Sequence, residues 1–81
     1  VYVYAVALND AGKTSAAIET LERSIKTHPY DRDSLAALVN FLEQTGDRAK
    51  ALTYARRLSE LEPENPVVRR MLRELAQHQP G

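Results

Sequence analysis

The sequence of 81 residues contains no cysteine and no tryptophan, and it has three glycines and four prolines. Without cysteine the chain can form no disulfide and offers no thiolate ligand to a metal ion. A surplus of charge of one sign is missing too, because 11 basic and 11 acidic residues give a formal net charge of zero. This balance is not typical of a nucleic-acid binder or of a protein attracted to a membrane surface. We therefore predict no nucleic-acid partner.

A long hydrophobic run is also absent. The apolar stretch at residues 1–8 is far shorter than the ~20 residues that span a bilayer, and no basic segment precedes it as in a signal peptide. We expect no membrane insertion, and the compartment, cytoplasmic or periplasmic, stays open. Because the sequence begins at Val1 inside an apolar pattern, we expect it to be part of a longer polypeptide.

The sequence does contain an internal repeat with an offset of 34 residues. The positions that match are Leu8 and Leu42, Gly12 and Gly46, Ala17 and Ala51, Arg23 and Arg57, and Pro29 and Pro63. This period is typical of a helix-turn-helix unit that buries its apolar face by stacking on a neighbour. We predict one domain over residues 1–78, made of a first repeat (1–30), a second repeat (31–64) and a capping helix (65–78), with a disordered tail at 79–81.

Apolar spacing predicts two helices joined by a turn in the second repeat. Leu35, Leu38 and Leu42 recur at the intervals that place them on one helical stripe. Gly46 is predicted to end this helix, since glycine tolerates the left-handed conformation that follows many helices. Asp47 is a suitable N-cap for the next helix, which we expect to run from about residue 48 to residue 61.

The other helices follow from the same signals. The first repeat is predicted to have helices over residues 1–11 and 14–29, with Thr14 as the N-cap of the second. A fifth helix is predicted to start at Asn65, a good N-cap, with Pro66 at the first helical position, where its missing N–H costs nothing. Residues from Gln77 onward are expected to fray.

The spacing of large apolar, small and proline residues resembles that of the tetratricopeptide repeat family. In the second repeat the matching residues are Leu35, Leu38, Val39, Leu42, Ala51, Ala55 and Pro63, with Gly46 and Asp47 at the turn. In the first they are Val1, Tyr4, Ala5, Leu8, Ala17, Leu21 and Pro29. The family's tryptophan is missing, and Ala55 stands where an aromatic residue is usual. The resemblance implies an all-α fold of antiparallel helix-turn-helix repeats stacked as a short right-handed solenoid. A looser similarity points to repeat regions of bacterial secreted proteins.

An enzymatic alternative comes from Gly12, Lys13 and Thr14, which imitate the end of a nucleotide-binding phosphate loop. Such a loop needs a glycine five residues before Gly12, where this sequence has Ala7. The repeat also explains Gly12 without a nucleotide, because Gly46 occupies the equivalent turn. The helix-turn interpretation is therefore favoured over the nucleotide-binding one.

Other catalytic or metal chemistry has little support in the sequence. His28 and His78 have no second histidine or cysteine at ligand spacing, and no serine has a companion base. We predict that the protein is not an enzyme and that it has no cofactor and no catalytic or metal-binding residue.

The resemblance implies instead a binding function, since the first helix of each tetratricopeptide repeat lines a concave groove. We predict a non-catalytic scaffold that binds a peptide or protein segment there. The predicted binding residues are Tyr2, Val6, Asn9, Asp10, Asp33, Ala36, Ala37, Asn40, Glu43, Gln44, Arg70 and Glu74. The family's clamp for C-terminal carboxylates uses lysine in this groove, whereas this face carries Asp33 and Glu43, which argues against a receptor for chaperone tails.

The alternative prediction is a structural role. The apolar residues 1–8 could pack on a further repeat, so that the chain ends a longer solenoid, or on a second copy of the chain to form a homo-oligomer. In that case Tyr2 and Val6 are interface residues and there is no separate peptide ligand.

Overall fold

A computed structural model describes residues 1–77, which form five α-helices and no strand. The helices are α1 (Tyr2–Asp10), α2 (Thr14–Thr27), α3 (Arg32–Gln44), α4 (Arg48–Leu61) and α5 (Pro66–Gln77). The prediction of an all-α fold is confirmed. Gln77 still belongs to α5, whereas His78 and the predicted tail at residues 79–81 lie outside the described part of the chain.

The helices pack in the order of the sequence. Each helix contacts the next, and α1 also contacts α3. This pattern of contacts between neighbours is that of stacked helix-turn-helix repeats. The central helix α3 therefore has α1, α2 and α4 around it, and it contributes more buried residues to the core than any other described helix.

The core alternates large and very small side chains. Leu21, Leu35 and Leu38 are fully buried, and so are the alanines Ala17 and Ala51. Because an alanine methyl adds little bulk, the facing helix can approach closely at these points. The alanines that match at the 34-residue offset thus serve the same packing purpose in both repeats.

Two turns with the same geometry join the helices within the repeats. Gly12 and Gly46 have positive φ angles of 81° and 85°, a conformation that glycine adopts without steric cost. After each glycine the chain closes the helix with an equivalent hydrogen bond: the Lys13 amide donates to the Leu8 carbonyl, and the Asp47 amide donates to the Leu42 carbonyl. The predicted turns are confirmed.

Two of the predicted helix caps form as expected. The Lys50 amide donates to Asp47 Oδ1 at 3.1 Å, and the Val67 amide donates to Asn65 Oδ1 at 2.9 Å. Each side-chain oxygen satisfies an amide that has no partner within the first turn of its helix.

The predicted cap at Thr14 is wrong. Thr14 is the first residue of α2 and Lys13 occupies the N-cap position. The Thr14 hydroxyl donates to Asn9 Oδ1 at 2.6 Å instead, because the tight turn at Gly12 brings the end of α1 beside it. This bond ties the two helices of the first repeat together.

Candidate functional site

An open groove lies between α3 and α5. Among the described residues, no Cα atom of α3 comes within 8 Å of a Cα atom of α5. The gap contains two neighbouring hollows of about 300 and 210 Å³. Val67 and Met71 line both hollows, so they make the hollows one continuous surface.

The larger hollow is lined by α3, α4, α5 and the segment between α4 and α5. Asp33 and Ala36, both predicted binding residues, belong to its wall. Arg32 and Glu62 also line it, and their side chains form an ion pair at 2.9 Å. The hydrogen bond from Arg32 to Glu62, with the charge of Glu62, raises the pKa of Arg32 above its ordinary value. The pair bridges the start of α3 and the segment after α4 at one end of the groove.

The smaller hollow brings together four predicted residues from two helices. Asn40 and Glu43 come from α3, and Arg70 and Glu74 come from α5. On α3 the groove residues Asp33, Ala36, Asn40 and Glu43 recur at intervals of three and four residues, which is the spacing of one helical face. The helix therefore presents them as a continuous row along the groove.

The groove combines an apolar floor with a polar rim. Val67 is 55 % exposed, and Met71 is half-buried against the core. Asn40, Glu43 and Arg70 are exposed at the edge. Apolar surface between convergent polar groups is typical of sites that bind another molecule, and the polar groups set the orientation of what binds.

The predicted residues of α1 do not line this groove. Tyr2 and Asp10 are exposed, and Val6 is half-buried against the core. The side-chain oxygen Oδ1 of Asn9 accepts the hydrogen bond from the Thr14 hydroxyl, so this atom is already used within the repeat. Unlike α5, α1 packs directly on α3, and none of its residues lines either hollow.

Two of the predicted α3 residues, Ala37 and Gln44, do not line the groove. Ala37 is only 6 % exposed and belongs to the hydrophobic core. The physical reason is that α3 packs against three helices, so its buried surface is wider than the single stripe that includes Leu38. Gln44 is exposed at the end of α3 and lines neither hollow.

A second groove, which the sequence did not predict, lies between α2 and α4. Its volume is about 570 Å³. It is lined by Glu19, Glu22, Arg23, Ile25, Lys26, Pro29, Tyr54 and Arg57. The sequence did contain one indication of this groove, because Arg23 and Arg57 match at the 34-residue offset. Two equivalent arginines on successive second helices are expected to approach each other when the repeats stack.

Tyr54 is at the centre of a polar cluster in the second groove. Its hydroxyl donates to Glu22 Oε2 at 2.8 Å, and Lys50 Nζ lies 3.0 Å from the same oxygen. Burial, reinforced by Glu22, raises the pKa of Tyr54 to about 12. The hydrogen bond to Glu22 also raises the pKa of Lys50. The Arg57 guanidinium carbon lies 5.7 Å from the centre of the Tyr54 ring, within the range of a cation–π contact.

Comparison with protein families agrees with this architecture. The model of the tetratricopeptide repeat matches residues 8–76, most of the chain. The chain belongs to the tetratricopeptide repeat family. Tetratricopeptide repeats generally mediate protein–protein interaction and are typically non-catalytic scaffolds, so protein is the expected class of partner. Curated proteins give no match to this sequence.

The tetratricopeptide architecture also bears on the nucleotide-binding alternative. The residues before Gly12 form the helix α1, whereas a phosphate loop follows a β-strand. The Lys13 amide donates to the Leu8 carbonyl and is therefore turned back into the helix turn. Residues 11–13 form the turn of a tetratricopeptide repeat and Thr14 begins α2, so this segment does not have the strand-loop-helix arrangement of a phosphate loop.

Residues 1–77 lack two further features. No group of three histidine, cysteine, aspartate or glutamate residues in this range is arranged to hold a metal ion. None of the five helices in it combines the length and the apolar character that crossing a membrane requires.

Proposed function

We propose that this tetratricopeptide repeat chain is a non-catalytic scaffold that binds a peptide segment of another protein in the groove between α3 and α5. The observation that carries the proposal is the combination of exposed Val67 with the polar row that includes Asn40 and Arg70. An exposed valine beside half-buried Met71 gains free energy when an apolar side chain covers it.

The polar residues determine the orientation in which the segment binds. The Asn40 amide can donate to and accept from a peptide backbone, and Arg70 can bind a carboxylate or a carbonyl. Both side chains project from helices whose other faces pack in the core or on α4. The walls of the groove are therefore formed before binding, which reduces the conformational entropy that binding would otherwise cost.

The proposal is tested with peptides selected for binding to the chain. A random peptide library is panned against the parent protein, and the Kd of each selected peptide is measured by fluorescence anisotropy. We expect Asn40→Ala/Arg70→Ala to weaken binding by about tenfold or more, which corresponds to about 1.4 kcal/mol. Thr53→Ala/Arg56→Ala, two exposed positions on α4 outside the groove, is the matched control. Equal affinity for the parent and both variants contradicts the proposal.

A second candidate function is supported by the exposed face of α1. Val1, Val3 and Tyr4 are 66 %, 76 % and 62 % exposed. Their equivalents 34 residues later are Leu35, Ala37 and Leu38, which are 0 %, 6 % and 0 % exposed. The helix α3 packs against α2, the second helix of the preceding repeat, and α1 has no such neighbour among the described residues. On this interpretation, α1 is a stacking surface for another repeat or for a second copy of the chain.

Self-association through α1 is tested by measuring molecular mass against concentration by analytical ultracentrifugation. If α1 pairs with a second copy, the mass of the parent rises with concentration, and Val3→Lys keeps it at that of a single chain. Thr53→Lys, an exposed substitution on α4, should behave as the parent. A constant monomer mass of the parent up to millimolar concentration rules out a homo-oligomer formed by this face.

A further inference from the structure

The groove between α2 and α4 differs in charge from the one between α3 and α5. Arg23, Lys26 and Arg57 line it together. Among the described residues, neither Arg23 nor Lys26 forms an ion pair with a carboxylate, and both are exposed. Their charges are thus available to a ligand.

The acidic residues of this groove do not cancel these cations. One oxygen of Glu22, Oε2, accepts a hydrogen bond from the Tyr54 hydroxyl and also forms an ion pair with Lys50. Lys50, which is not a lining residue of the groove, therefore compensates the charge of Glu22. Glu19 is the remaining carboxylate in the lining, which also contains the three cations Arg23, Lys26 and Arg57.

Arg57 is held in a defined position within the groove. Its guanidinium lies over the Tyr54 ring, and its NH1 group is 3.5 Å from the Pro29 carbonyl oxygen. Neither contact neutralises its positive charge, because a ring face and a carbonyl are uncharged. A guanidinium held in this way can form paired hydrogen bonds to a carboxylate with little further ordering.

We propose that the groove between α2 and α4 is a second binding site, and that its ligand is an acidic segment of a partner protein. Glutamate or aspartate carboxylates of the segment bind Arg23, Lys26 and Arg57. Pro29, which is exposed in the same lining, contacts the aliphatic parts of the segment. The site is formed by the second helices of the two repeats, so it is separate from the peptide groove formed by α3 and α5.

The test uses a fluorescein-labelled hexaglutamate peptide and the whole chain, with anisotropy recorded at low ionic strength. We expect saturable binding that weakens as salt is added. Arg23→Gln/Lys26→Gln should weaken it by about fivefold, the loss expected for two exposed ion pairs. Both side chains are exposed and unpaired in the described structure, so the variant should keep its fold, which circular dichroism checks.

The control removes the same charge elsewhere on the chain. Arg48→Gln/Arg56→Gln changes two exposed arginines of α4 that do not line the groove, and it should leave hexaglutamate binding within twofold of the parent. Equal weakening by both variants, or equally tight binding of hexalysine, overturns the proposal. A peptide selected for the α3–α5 groove should not displace hexaglutamate, and displacement would also contradict a separate site.

Discussion

At the scale of single residues, glycine sets the turn within each repeat. Gly46 has a φ of 85°, and a Cβ added there would meet no atom within 4 Å. The cost of a larger residue is therefore backbone strain alone, without a steric clash. Gly46→Ala should lower the free energy of unfolding by about 1 kcal/mol.

Urea denaturation of the variants measures this cost. Gly46→Asn is the matched control, because asparagine tolerates the left-handed conformation better than alanine, and its loss of stability should be smaller. If alanine is tolerated as well as asparagine, positive φ is not what selects glycine at this turn.

The ionisation of Tyr54 makes the free energy of unfolding depend on pH, and a substitution of this residue measures its contribution. Its pKa is about 12 in the folded chain and about 10 when it is unfolded. The folded state therefore holds this proton more tightly, so the stabilisation is complete below about pH 10 and is lost as the pH rises towards 12. Lys50, whose pKa is also raised, loses stabilisation in the same direction.

The substitution Tyr54→Phe removes the contribution of the tyrosine. The difference in unfolding free energy between parent and variant, from urea melts, should shrink between about pH 10 and pH 12. Tyr30→Phe controls for the loss of one phenol, because Tyr30 is 55 % exposed. A difference that stays constant across this range would show that Tyr54 does not titrate differently in the two states.

At the scale of secondary-structure elements, the start of α4 depends on one side chain. Asp47 accepts the Lys50 amide, which otherwise has no partner in the first turn. Asp47→Ala should lower the free energy of unfolding by about 1 kcal/mol, the usual cost of losing an N-cap. Asp47→Asn keeps an acceptor and should cost much less. Chemical denaturation distinguishes the two, and equal losses would contradict the capping role.

The elements themselves were predictable because their signals are local. The turn at Gly46, the cap at Asp47 and the start of α5 at Pro66 each depend on residues within a few positions. Thr14 was mispredicted because its hydroxyl had two acceptable roles. Choosing between a cap and the bond to Asn9 requires the turn geometry, which the sequence pattern does not contain.

The lining of the candidate groove was predictable only in part, because it depends on how helices stack. Asp33, Ala36, Asn40 and Glu43 share one face of α3 and reach the groove, as family resemblance and helical spacing implied. Ala37 was predicted to face the groove but is buried, because the apolar spacing of α3 does not reveal that three helices pack against it. The α2–α4 groove was missed because its central bond joins side chains 32 positions apart.

At the scale of the whole molecule, stacking leaves two grooves of different character. The groove between α3 and α5 has an apolar floor, with carboxylates, an amide and an arginine at its rim. The groove between α2 and α4 is lined by more basic than acidic residues. A solenoid packs each helix against its sequence neighbours, so helices two apart, such as α3 and α5, can stay separated by a groove. Under the two proposals above, the chain presents separate surfaces to different segments of its partners.

The central claim is that a peptide occupies the groove between α3 and α5, and one NMR titration tests it most directly. Peptide selected against the chain is added to uniformly ¹⁵N-labelled protein, and chemical-shift changes are followed. The largest changes are predicted at the Asn40 side-chain amide and at the backbone amides of Ala36, Val67, Arg70 and Met71, which lie along the groove. Changes confined to α1, or to the α2–α4 surface around Tyr54, would contradict the assignment of the peptide to this groove.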